Sequence, residues 1–294
     1  IMVLGGSSAG SEDFAKTAIV DLGEIKVHGV TIMPGKPVVI GTVGNKPVFG
    51  IPGYPVSAII AFEQFVQPLL YALLGQPHPQ KETITVQPTK KIASKLGVEE
   101  FLRVKLGEVG GRIVATPLPR GAGTITSITE ADGIIRIPNH VEGINETESI
   151  SAELLRPLAS IRQTIVIVGS HDNSLDVLAD QLKAGHSELT LSSSHVGSMG
   201  GLMAIKRGVC HLAGSHLLDP QDGTYNLSYI KKFLAQVDVK VINLVLRDQG
   251  LIIRRGNPKN IKGIEDLALR DISFFNRQAV SGTRILLDFR LKKI

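Results

Sequence analysis

MPGKPVVIGTVGNKPVFGIPGYPVSAIIAFEQF, residues 33–65, carries two Pro-Gly turns, each placed beside an apolar run. The first, Pro34-Gly35-Lys36-Pro37, sets a lysine between two residues of fixed φ, with a glycine to supply the bend. The second, Pro52-Gly53-Tyr54-Pro55-Val56-Ser57, follows a strand expected over residues 47–51. It opens a helix expected to start near Ser57, with that serine as its cap, and to run to Leu74. A hydroxyl and unpaired N–H groups at such a start suit an anion.

Outward from these turns, the first 75 residues alternate strand and helix patterns. Residues 1–4 read as the tail of a parallel strand, 5–11 as a turn and 12–22 as a helix; strands are expected at 25–32 and 38–43. The pattern is α/β, a partial doubly wound domain over residues 1–76. Such a sheet needs further strands ahead of residue 1, so an N-terminal truncation is expected. Gly75-Gln76-Pro77-His78-Pro79 cannot continue a helix and reads as a linker. Short strands at 82–88, 101–106, 111–117 and 133–138, separated by Gly-rich turns, then give a small all-β, barrel-like domain over 77–155.

A third domain, again α/β, is expected over 160–294. A strand at 164–169 ends in Ser170-His171-Asp172-Asn173 before a helix at 174–182. A second strand, at 189–191, hands Ser192-Ser193-Ser194 towards another helix, and an apolar strand around Phe274 precedes a helix opened by Ser281-Gly282-Thr283-Arg284. Hydroxyl-rich helix starts at strand carboxyl ends favour anions. Ser170, Ser193, Ser194, Ser281, Gly282, Thr283 and Arg284 are therefore candidates for one oxyanion pocket.

Composition narrows the function classes. With 43% hydrophobic residues each domain can build a core. The apolar runs 56–62 and 69–74 are shorter than the roughly 18 residues that span a bilayer, which argues against a membrane protein. The net charge of +5 is spread along the chain, and four Tyr with no Trp leave little for base stacking, which argues against nucleic acid. Cys210 is the only cysteine; it excludes an internal disulfide and fits a reducing, cytoplasmic setting. His171, His195, His211 and His216 have no tight ligand spacing and read as turn and core histidines.

The pair of turns resembles the molybdenum insertase family, MoeA in bacteria and the E domain of gephyrin-type proteins in eukaryotes. Three stretches carry the likeness: Gly5-Gly6-Ser7-Ser8-Ala9-Gly10-Ser11-Glu12-Asp13, Met33-Pro34-Gly35-Lys36-Pro37 and Gly50-Ile51-Pro52-Gly53-Tyr54-Pro55-Val56-Ser57. It continues through Glu99-Glu100-Phe101-Leu102-Arg103 and Arg120-Gly121-Ala122-Gly123 to about Glu153. Tyr54 stands where the family usually has Asn, Met33 where it has Lys, and Ala122 where many relatives have Ser. The third domain is similar to type 2 periplasmic-binding-protein domains, especially those fused behind insertase modules, and to the effector-binding half of LysR-type regulators. Such domains have two lobes, so a C-terminal truncation is also expected.

The resemblance implies insertion of molybdate into adenylylated molybdopterin with release of AMP, by a homodimer in the full-length protein. Lys36, Ser57 and Arg103 would hold molybdate, and Asp13 would carry Mg2+ beside the phosphates. Gly5, Gly6, Ser8, Gly10, Pro34, Gly35, Pro52, Gly53 and Pro55 would shape the pterin site. One alternative is an oxyanion sensor or carrier for molybdate or tungstate built on the third domain; another is a non-catalytic scaffold.

Overall fold

The structure is a computed structural model that describes residues 1–5, 14–269, 271–278 and 281–294. By its internal contacts the chain falls into two units: residues 1–167 with 181–194 and 209–211, and residues 168–180 with 195–208 and 212–294.

The first unit begins with a mixed sheet. Strand β1 (Met2–Leu4) runs parallel to β5 (Lys46–Ile51), which pairs antiparallel with β4 (Val39–Val43), and β4 pairs antiparallel with β2 (Glu24–His28). Gly44, at φ +56°, turns the β4–β5 hairpin. Helix α1 (Phe14–Leu22) packs Ile19 against Val39 and Val48 on this sheet. The single strand expected at 25–32 is broken. The Gly29 N–H bonds the Val38 carbonyl and the Val30 N–H bonds that of Lys36, which closes the first Pro-Gly turn. Residues Ile32–Met33 (β3) then leave the sheet and pair with β8 (Glu99–Val109).

Helix α2 runs from Pro55 to Leu73, so the two apolar runs read separately in the sequence form one rod. By length and composition alone it could cross a membrane. Its inner residues Val56, Ser57, Ile60, Ala61 and Val66 are buried, as in a core helix. Pro68 should interrupt it, having no N–H and a ring that crowds the preceding turn. The helix accommodates it with a π turn over Phe62–Val66, in which the Gln67 N–H reaches back to the Phe62 carbonyl.

The second part of this unit is a closed five-stranded barrel of order β10-β12-β6-β9-β8 and back to β10. Its strands are β6 (Thr83–Pro88), β8, β9 (Arg112–Pro117), β10 (Gly133–Ile137) and β12 (Ile150–Leu154), with a small ladder of β7 (Ile92–Ala93) and β11 (Gly143–Ile144) beside them. Alternate residues of the strands, among them Leu102, Val104, Leu106, Ala115 and Ile135, fill the interior. Val56, Ile60, Phe101 and Ile134 form a cluster that joins α2 to the outer face of the barrel. That cluster and the β3–β8 pairing hold the two Pro-Gly turns against the barrel.

In the second half β13 (Thr164–Gly169) pairs with β14 (Thr190–His195). Helices α3 (Ser174–Gly185), α4 (Gly197–Arg207), α5 (Leu227–Phe233) and α6 (Gly282–Leu291) follow. Two expectations need correction. Ser192, Ser193 and Ser194 lie inside β14, not in a loop at a helix start, with Ser192 and Ser194 on its buried side. Residues 272–278 form no strand; Phe275 is fully in solvent, and without a neighbouring strand an apolar run has nothing to pair with.

Candidate functional site

The two Pro-Gly turns, Gly5 after β1 and one loop of the first unit meet at the start of α2. The Gly5 N–H bonds the Ile51 carbonyl at 3.0 Å, and a Cβ built on Gly53 would lie 3.4 Å from the Gly5 Cα. The first motif therefore begins on top of the second Pro-Gly turn. Gly6, Ser8, Gly10 and Asp13 lie outside the described residues. Gly35 adopts φ +115°, which L side chains rarely take, and a Cβ there would stand 2.9 Å from Ile32 Cδ1 and 3.7 Å from the Ser57 carbonyl oxygen. The close approach brings the lysine turn onto α2. Pro34, Gly35 and Pro52 are buried and Pro55 half-buried, while Lys36 and Gly53 are exposed.

The helix begins two residues earlier than the sequence pattern suggested. Tyr54 is the N-cap and Pro55 the first helical residue, a position where proline's fixed φ and missing N–H are harmless. Ser57, 4% exposed, is thus within the first turn and is not the cap. Of the four backbone donors that a helix start leaves over, Pro55 has none and Val56 gives its own to the Ala122 carbonyl at 3.1 Å. Those of Tyr54 and Ser57 stay outside the helical ladder.

Arg103, 1% exposed, determines where Ala122 sits. Its Nη2 donates to the carbonyls of Pro119 (2.8 Å) and Gly121 (3.5 Å), its Nη1 to that of Phe101 (3.3 Å) and its Nε to Ser127 Oγ (3.2 Å). Four of the five guanidinium N–H groups are committed to the protein itself. The sequence reading gave this side chain to molybdate; the structure instead makes it an anchor for the loop that receives the Val56 N–H. Burial pushes the guanidinium pKa down, with Glu100 opposing and Arg120 adding to the shift. Glu100 is itself buried and binds Arg120 Nε at 2.7 Å and the Ser94 hydroxyl at 2.9 Å, which ties the loop a second time beside the Arg103 contacts. The sequence singled out Arg120-Gly121-Ala122-Gly123 without revealing this anchorage, because the carbonyls involved are 16 and 18 residues from Arg103 along the chain.

The site thus offers an exposed ammonium at Lys36, a buried serine in the first turn of α2, and glycines that let a ligand approach the backbone. These are donors that a small oxyanion would use. Among the described residues no three His, Cys, Asp or Glu side chains group to hold a metal ion.

The second unit holds five of the seven residues expected to form one oxyanion pocket, and within it they make separate contacts. Ser193 and Ser194 belong to the first unit. The Ser170 N–H bonds Gly214, Ser281 caps α6 by accepting the Arg284 N–H at 3.3 Å, and Thr283 is exposed. The Arg284 Nε bonds both carboxylate oxygens of Asp288 at 3.0 Å, so its charge is answered locally. Gly282 is better placed: a Cβ there would lie 2.7 Å from His216 Nε2. The other side of that ring meets α4, with His216 Nδ1 3.1 Å from Ser198 Oγ, and the His216 N–H donates to the same oxygen at 3.0 Å. Burial, and then the positive charge of Arg247, push the His216 pKa below its ordinary value, while Asp172 works the other way. Asp172 caps α3 through the Ser174 N–H (2.9 Å) and receives two bonds from Arg247; the Ser174 contact, ahead of the arginine, holds its carboxyl far below the usual carboxylate range. Sequence spacing gave no sign that His216 would sit between two helix starts.

Residues 1–72 match the family described as "Probable molybdopterin binding domain", residues 85–155 the "MoeA C-terminal region (domain IV)" and residues 179–294 the "PBP superfamily domain". Over residues 1–155 the chain is thus similar to MoeA proteins in two successive regions, and a region similar to periplasmic-binding-protein domains follows. A Methanocaldococcus jannaschii protein whose name places it in molybdopterin biosynthesis is 34% identical over 157 residues, 53% of this chain and 36% of that protein. The molybdopterin molybdenumtransferase of Haemophilus influenzae is 36% identical over 100 residues, 33% of this chain and 25% of that enzyme. A crystal structure of a molybdopterin biosynthesis MoeA protein from Pyrococcus horikosii has 38% identity and a TM-score of 0.43, covering 53% of this chain and 37% of that one. The chain spans roughly a quarter to two fifths of each of these relatives.

Two outcomes follow from this geometry. Arg103→Lys keeps a charge but cannot reach four acceptors, so it should lower the unfolding free energy of the first unit by about 3 kcal/mol in urea denaturation. Because folding lowers the His216 pKa, the unfolded state takes up the proton first as pH falls through the ordinary 6.5. Thermal stability of the second unit should therefore be insensitive to this group above that value and decline below it, and His216→Asn should flatten the decline between pH 7.5 and 5.5.

Proposed function

We propose that residues 1–155 form part of a molybdopterin molybdenumtransferase site, which inserts molybdate into adenylylated molybdopterin and releases AMP. The observation that carries this reading is the packing of the Lys36 turn, through Gly35, onto the buried Ser57 at the start of α2. Lys36 supplies a positive charge to a tetraoxo anion, and Ser57, through its hydroxyl and its own backbone N–H, supplies hydrogen-bond donors. Arg103 acts at one remove by holding the Arg120–Gly123 loop against Val56. The Gly5 and Gly53 surfaces leave room for the pterin and its phosphate. The names of the matched relatives support this assignment to molybdenum cofactor biosynthesis.

A homodimer, a cytoplasmic setting and magnesium beside Asp13 belong to the same proposal. Magnesium there would screen phosphate charge as AMP leaves. Molybdate-dependent AMP release should fall at least about tenfold in Lys36→Ala and in Ser57→Ala, each removing one charge-assisted or hydroxyl contact. Unchanged turnover in both variants would remove the assignment.

A second reading concerns the other unit. The convergence of α4 and α6 on His216 favours an oxyanion-binding sensor or carrier role, with Ser198 and Gly282 in place of the serines of β14. Calorimetry with molybdate, tungstate, sulfate and phosphate is expected to give heat for at least one of them. Silence from all four would end that reading.

A further inference from the structure

Tyr54 is 63% exposed, a large aromatic side chain left in solvent at the point where the motifs meet. The helix makes no use of it. Its backbone is extended, at φ −72° and ψ 126°, its carbonyl accepts the Ala58 N–H at 2.9 Å, and its side chain makes no capping bond. One edge of the ring lies beside the loop, since a Cβ built on Gly123 would stand 3.5 Å from Tyr54 Cδ1 and 3.9 Å from Cε1. Gly123 follows Ala122, whose carbonyl receives the Val56 N–H, so the loop anchored by Arg103 also supports the ring. The position of its Cα is set by Pro55 on one side and by Gly53, packed on Gly5, on the other.

We infer that Tyr54 is the stacking surface for the flat heterocycle of the substrate, the pterin ring, and so selects what the site accepts. This rests on the reading of residues 1–155 given above. Folding leaves most of this ring in water, with its support already in place, and an aromatic face recovers that apolar area by stacking on another π system. The polar parts of the same substrate then fall to the neighbouring donors, its phosphate to the Gly5 and Gly53 backbone and the oxyanion to Lys36 and Ser57. An asparagine, usual in the family here, could offer hydrogen bonds but no face. This chain is thus expected to hold the ring by its plane.

The test is fluorescence titration of the full chain with 6-hydroxymethylpterin, beside calorimetry with molybdate alone. Tyr54→Phe should bind the pterin within about twofold of the parent, and Tyr54→Ala about tenfold more weakly, as loss of one stacked base contact gives. Molybdate binding should be the same in all three. Equal pterin affinity in Tyr54→Ala, or a loss in Tyr54→Phe as large as in Tyr54→Ala, overturns the stacking role and leaves the transferase reading standing. Failure of the parent chain to bind the pterin at all would remove both.

Discussion

A guanidinium withdrawn from water must find acceptors inside the fold, and Arg103 finds them in three carbonyls and a serine hydroxyl. Leaving such a group unpaired in the interior is among the most destabilising things a sequence can do. The loop from Pro119 to Ser127 is therefore held in the one path that satisfies it. Everything at the start of α2 leans on that path: Ala122 takes the Val56 N–H, Gly123 lies beside Tyr54, and the Glu100–Arg120 pair ties the loop a second time. Strand β8 carries both Arg103 and Glu100 and shares its edges among β3, β9 and β10, so the barrel and the lysine turn are positioned by the same strand.

The parts legible in the sequence were those fixed by local restriction. Proline and glycine narrow the backbone so strongly that both Pro-Gly turns were placed correctly from residue type alone, and the β4–β5 hairpin and four of the five barrel strands followed from alternation. The fifth, Ile150–Leu154, reads Ile-Ser-Ala-Glu-Leu and buries only Ala152 fully, so its apolar signal is weak. The start of α2 was misplaced because two signals compete there. Serine resembles a cap, but Pro55 already has the helical φ, and a proline at the first position outranks a serine two residues later.

What the sequence hid was set by distant partners. Arg103 looked like a cleft arginine because its type suits an oxyanion, whereas its actual acceptors are backbone atoms that carry no residue-specific pattern. The hydroxyls of Ser192 and Ser194 resembled a helix-opening loop, yet the run extends a strand and turns them inward. His216 gained its place only when Ser198 and Gly282, 18 and 66 positions away along the chain, were brought to its two ring nitrogens. In each case the residue type was noticed and the neighbourhood was not.

The π turn in α2 has a meaning of its own. It is one residue more than an α-helix needs, so the rod behaves as if it had absorbed a single insertion between Phe62 and Val66. Each residue of helix advances the side-chain direction by about 100°, and the extra one puts the two halves out of phase. Ala58 and Ala61 ahead of the turn, Phe62 and Val66 within it and Leu69 beyond it pack on the same sheet cluster, while Val56 and Ile60 face the barrel. Shorten the chain by one residue there and the rod would survive, but Leu69 would turn by about 100° away from the sheet on which Ala58 and Ala61 stay packed.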